Sequence, residues 1–164
     1  MRKTTPSDLE TCAVFVVPET SCPLAQQGRP RHFRDPAGLA VLQRIAEGLT
    51  ESGYPATTAK PGYAVEAGLR CRLGDGFDVT VCLAVAERKG GFVEFELGTY
   101  HSPSLLSRIW RGRSGFDAQH ITEWKRLCSA INDQIVQRVG AASVAWLTFE
   151  AAAARWKVPR VSEK

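Results

Sequence analysis

Three histidines, five cysteines and one closely spaced pair of glutamates are the side chains here that could move protons, attack a carbonyl or hold a metal. A zinc site needs several Cys or His ligands on rigid local turns. Cys12, Cys22, Cys71, Cys82, Cys128, His32, His101 and His120 include no C-x-x-C, no H-x-x-x-H and no pair four residues apart. No metal site is expected. A cysteine nucleophile needs a neighbouring base or a helix N-terminus to lower its pKa. The approach that would supply one is Cys82 to His101 across a sheet, with His120 in the first turn of a following helix, but no G-x-S-x-G elbow accompanies them. Glu94 and Glu96 lie two apart, on one face of a strand, as acid and base partners do in some hydrolases. Arg70, Arg72 and Asp78 share that face, and a mixed-charge solvated surface is the ordinary outcome. Gly74-Asp75-Gly76 and Gly112-Arg113-Ser114-Gly115 lack the phosphate-binding fingerprints and read as turns, so no cofactor is expected and no residue is assigned a catalytic role.

The segment from His101 to Phe116 is left. Leu105, Leu106, Ile109, Trp110 and Phe116 are interspersed there with Arg108, Arg111 and Arg113, and no acid occurs among them. Without those three arginines the formal charge of +4 falls to +1, so most of the basic excess sits in one place. Tryptophan and arginine are the residues most enriched at binding hot spots, and the same pair suits base stacking with phosphate contacts. Three arginines fall short of the dense stripe of a dedicated nucleic-acid binder. Arg108, Trp110, Arg111, Arg113 and Phe116 are therefore the candidate binding residues, with a protein bearing an acidic surface as the expected partner and nucleic acid as the alternative.

The elements that must position this segment are readable from periodicity. Phe77, Val79, Val81, Leu83 and Val85 alternate with Asp78, Thr80, Cys82, Ala84 and Ala86, the longest strict period of two in the chain. Glycine-rich turns on either side make it the middle strand of a meander, preceded by Leu69 to Leu73 and followed by Phe92 to Leu97. Leu73 is expected opposite Phe77, and Arg72 opposite Asp78 as an ion pair. Matching inward residues to inward ones places Leu83 opposite Phe95 and favours a three-residue second loop. Because Cys82, Ala84 and Ala86 are small, part of the outer face is expected to be covered by a loop or a partner. Cys12 to Val17 reads as a further buried strand and Val144 to Leu147 as a short last one. Asp35-Pro36 opens a helix with Leu39, Leu42, Ile45, Ala46 and Leu49 on one side, closed by Gly53. Asp117 opens a second, whose stripe of Ile121, Trp124, Leu127 or Cys128, Ile131, Ile135 and Val139 ends at Gly140. Thr148 with Glu150 begins a short third helix.

This order defines an α+β protein: an antiparallel β-meander packed against two long amphipathic helices, in two layers and one domain. Residues 1–11 read as a flexible N-terminal arm, 12–156 as the domain and 157–164 as a flexible basic tail. At 164 residues, 44% hydrophobic and 23% charged, the chain has the composition of a soluble globular protein and can bury an ordinary core. No apolar run is long enough to cross a bilayer, the N-terminus lacks the order of a secretory signal, and five scattered cysteines do not form a disulfide framework. A cytoplasmic setting is expected. By architecture alone the arrangement is similar to toxin-neutralising immunity proteins and some secretion chaperones. The resulting expectation is a non-enzymatic protein-binding module that acts by occluding its partner, ahead of a nucleic-acid-binding domain and of a small hydrolase or transferase.

Overall fold

Alternation of period two, carried by four strands at once, builds the centre of the molecule. The computed structural model describes residues 9–22, 36–59, 67–73, 77–101 and 118–157. Its strands are β1 (Glu10–Pro18), β2 (Ala56–Ala59), β3 (Ala67–Leu73), β4 (Phe77–Lys89), β5 (Phe92–His101) and β6 (Ser143–Thr148), and its helices α1 (Pro36–Glu51), α2 (Ala118–Gln134) and α3 (Phe149–Lys157). The fold is α+β, with one six-stranded antiparallel sheet in the order β2-β3-β4-β5-β1-β6. Every odd-numbered residue from Ala13 to Val17, Leu69 to Leu73, Phe77 to Leu83 and Val93 to Leu97 is buried. Successive side chains of a strand point to opposite faces, so these residues form a single apolar surface.

That surface must be covered, and α1 and α2 cover it. α1 lies over the β2-β3-β4 half. α2 lies over the other half, where Trp124 and Cys128 reach Thr99 of β5 and Asn132 reaches Trp146 of β6. The buried stripe of α2 is the one its spacing predicts: Trp124, Leu127, Ile131 and Ile135. The α1 stripe is rotated from expectation. Val41 is buried with Leu42, Ile45 and Leu49, while Leu39 is 41% exposed in an open groove beside β2. Helical spacing sets the width of an apolar stripe, but the sheet edge decides which of its margins is covered.

The two helices meet where Gly48 of α1 receives the buried side chain of Gln134; a Cβ at position 48 would lie 1.8 Å from its Oε1. α2 ends just beyond this contact in a π turn over Ile135–Val139, closed by Gly140 at φ 73°. Replacing Gly48 with alanine brings about 1 kcal/mol of helix propensity, against roughly 1–3 kcal/mol for overpacking. Gly48→Ala is therefore expected to lower stability in urea titrations. In a background carrying both Gln134→Ala and Arg138→Ala, since Arg138 Nε would also lie 2.8 Å from the new Cβ, the same change should raise it, and equal effects in the two backgrounds would dismiss the contact.

The β3-β4 pairing follows the expected register, with Leu73 opposite Phe77 and exposed Arg72 opposite half-buried Asp78 in an ion pair of 3.5 Å. The β4-β5 hairpin departs from it. Leu83 faces Leu97 rather than Phe95, and the loop is the two residues Gly90-Gly91, both at positive φ, 61° and 78°. Two left-handed residues suit a tight hairpin whose twist matches its strands. A bulge between Val85 and Glu87 supplies the missing residue. The bulge also reverses parity: Glu87 and Glu94 face each other on the outer side, and Arg88 points to the inner margin, where it meets Glu19 at 3.5 Å.

α3 occupies the opposite, outer face. Thr148 Oγ1 accepts the Ala151 amide at 3.3 Å as the helix cap, and Phe149, Ala152 and Ala153 lie over Cys82, Ala84 and Gly98. The cover expected at those small residues is present, but a helix of the chain supplies it over Cys82 and Ala84, not a loop or a partner. The sheet therefore carries helices on both faces, α1 and α2 on one and α3 on the other.

Candidate functional site

The candidate binding residues Arg108, Trp110, Arg111, Arg113 and Phe116 lie outside the described residues. The two ends of the connection that carries them are described, and they converge on one ring. His101 is the last residue of β5, and His120 stands in the first turn of α2. Phe77 stacks against both, with ring centroids 4.1 Å from His101 and 4.5 Å from His120, and meets the edge of Trp124 at 6.4 Å. The Nδ1 of His101 is 2.8 Å from the carbonyl oxygen of Asp78. A carbonyl can only accept, so Nδ1 carries the proton in this contact.

Behind this aromatic group runs a buried polar chain. Trp124 Nε1 donates to Thr99 Oγ1 at 2.8 Å, and Thr99 Oγ1 donates to the carbonyl of Thr11 at 3.0 Å. The hydroxyl's single hydrogen is committed to that carbonyl. The contact of 3.8 Å between Thr99 Oγ1 and Cys128 Sγ therefore has the thiol as donor. Removing the hydroxyl while keeping the shape strands a buried indole N–H, at roughly 1–3 kcal/mol. Thr99→Val is expected to lose that much stability in chemical denaturation, and Thr99→Ser less. A valine variant as stable as wild type would show that the chain contributes nothing.

The groups that could do catalysis are held otherwise. Cys82 is on the outer face opposite Gly98, whereas His101 faces Val79 on the inner one, so the sheet separates them. Burial pushes the Cys71 thiol up to about 12, that of Cys128 up to about 11, and those of Cys12 and Cys82 above the ordinary 9.0. A neutral, desolvated thiol is a small hydrophobe rather than a nucleophile. Glu94 and Glu96 share a face as expected, and both meet Arg155 of α3, at 3.1 Å and 4.0 Å. Their arrangement docks a helix. Among the described residues no group of three or more His, Cys, Asp and Glu could hold a metal ion.

Two cavities adjoin these elements. Under α3 a space of about 60 Å³ lies between Cys12, Cys82 and Tyr100, where the phenol folds over Gly98 so closely that a Cβ there would come within 2.3 Å of its hydroxyl. Burial, with the nearby Cys12, Cys82 and Glu96, pushes the Tyr100 phenol up to about 12. That space has the volume of about two water molecules. An open groove of about 620 Å³ runs between α2 and the β6 margin, lined by Glu10, Lys125, Ser129, Asn132, Trp146 and Thr148 among others. Sequence reading missed it. The available signal was the spacing of Lys125, Ser129 and Asn132, which places them one above another beside the buried stripe.

Comparison with known proteins gives no match: no family model fits the sequence, and no curated protein or solved structure is significantly similar to it. No helix among the described residues is long and apolar enough to cross a membrane.

Proposed function

We propose that this chain is a non-enzymatic protein-binding module that occludes its partner. Trp110 and Phe116 anchor the complex, and Arg108, Arg111 and Arg113 steer an acidic surface toward it. The observation that supports this reading is the shared anchorage of the elements flanking the segment: β5 ends at His101, α2 begins at Ala118, and Phe77 is stacked on the imidazoles of both His101 and His120. Binding residues occur disproportionately on connections whose ends a rigid scaffold fixes. The engagement of Glu94, Glu96 and the thiols in packing and ion pairs supports binding over catalysis. Immunity proteins and secretion chaperones remain the architectural comparison, on the strength of the α+β layout alone. Five free cysteines favour a reducing compartment, the cytoplasm.

The test is affinity purification of the tagged chain from its native lysate, with and without nuclease. A single nuclease-resistant protein at near-stoichiometric yield is the expected result. Recovery of nucleic acid alone, or loss of all material with nuclease, would replace this reading with the nucleic-acid one.

A further inference from the structure

β6 ends the sheet, and among the described residues it pairs with β1 alone. Sheets defend such an edge with charges, prolines, bulges or extreme shortness. The opposite edge does so: β2 has four residues and lies between Pro55 and Pro61. β6 does not. From Ser143 to Phe149 the sequence Ser-Val-Ala-Trp-Leu-Thr-Phe contains no charge, no proline and no glycine, and its β-branched and aromatic residues favour strand pairing.

We propose that this edge is a homodimer interface, in which the β6 strands of two copies pair antiparallel about a two-fold axis and join their sheets into one. The pairing is self-complementary in register. Directly opposed residues of an antiparallel pair share a face. With Ala145 opposite Ala145, Val144 meets Trp146 on the helix-covered side and Ser143 meets Leu147 on the outer side. An aromatic residue against a β-branched one is a favourable cross-strand pair. Two-fold pairing sets a strand against its own sequence, so a charge near the axis would meet its like; this strand has none, and a small exposed residue stands at the centre. The groove of about 620 Å³ between α2 and β6 opens along the same edge, with half-buried Trp146 fixed in it by a hydrogen bond of 3.1 Å to Asn132. In the dimer it receives side chains of the partner's strand.

Analytical ultracentrifugation of the full chain across a wide concentration range tests this. Wild type is expected to approach twice the 17.9 kDa of one chain. Ala145→Lys sets two ammonium groups at the axis and should weaken dimerisation by about tenfold or more, whereas Ala145→Thr should leave it intact. Amide hydrogen exchange of residues 143–148 in wild type gives a second reading that needs no variant: protection there should rise with protein concentration. A wild-type chain that stays monomeric throughout, an Ala145→Lys dimer as tight as wild type, or concentration-independent exchange in β6 would each overturn the proposal.

Discussion

Phe95→Ala is expected to lower the free energy of unfolding by roughly 3–5 kcal/mol. The side chain is fully buried at the middle of β5, opposite Phe15 of β1 on one side and Val85 of β4 on the other, and its ring stacks on Phe15 with centroids 5.4 Å apart. Truncation removes the apolar contact area and leaves a cavity that the flanking strands cannot close without shifting both registers. Domains of this kind have about 5–15 kcal/mol in total, so the variant should be near its unfolding threshold at ordinary temperature. Phe92, on the same strand but facing out and 44% exposed, is the internal control. Phe92→Ala should change stability by about 0.5 kcal/mol or less. Urea unfolding of the pair reads the difference directly, and similar losses in both would mean that the inner and outer faces have been misassigned.

On the proposed binding-module reading, Trp110→Ala is expected to weaken the complex with the protein partner by at least about 2 kcal/mol, roughly 30-fold in dissociation constant. An indole contributes a large rigid contact area with few rotatable bonds, which makes its truncation the costliest single change available in the 101–116 segment. Arg108, Arg111 and Arg113 should behave differently. Rim charges act on encounter more than on residence, so single arginine changes should alter the association rate and its salt dependence while leaving dissociation nearly as it was. Calorimetry or surface-based kinetics on the purified partner separates the two. Undiminished affinity in the tryptophan variant would remove this segment as the binding surface, whatever the arginines do.

The parts of the fold legible in the sequence are those with a local period. The inward positions of β4 and β5, the buried stripe of α2 and the Arg72–Asp78 pair all follow from residues within a few positions of each other. The loop between β4 and β5 shows where that reasoning stops. Parity alone permits several even registers, and it gives no sign that a bulge after Val85 will absorb one residue and let Gly90-Gly91 close a two-residue turn. The insertion of β1 between β5 and β6 is set by pairings of residues at least 74 apart in sequence, which no local pattern encodes. Cys82 and Ala84 did carry a long-range signal, since small side chains on an otherwise open face leave room for a covering helix. Separating Cys82 from His101 required the register, because one residue of parity puts them on opposite sides of the sheet. The candidate binding residues were picked by type and clustering alone; they lie outside the described residues.

The stacking of Phe77 on both His101 and His120 has a consequence for how freely this molecule can change. Phe77 belongs to β4, His101 to the end of β5 and His120 to the first turn of α2, so one ring ties two neighbouring strands to the helix that follows them in the chain. A truncated side chain at position 77 would release the end of β5 and the start of α2 together, which leaves this position far less free to vary than an exposed one such as Phe92.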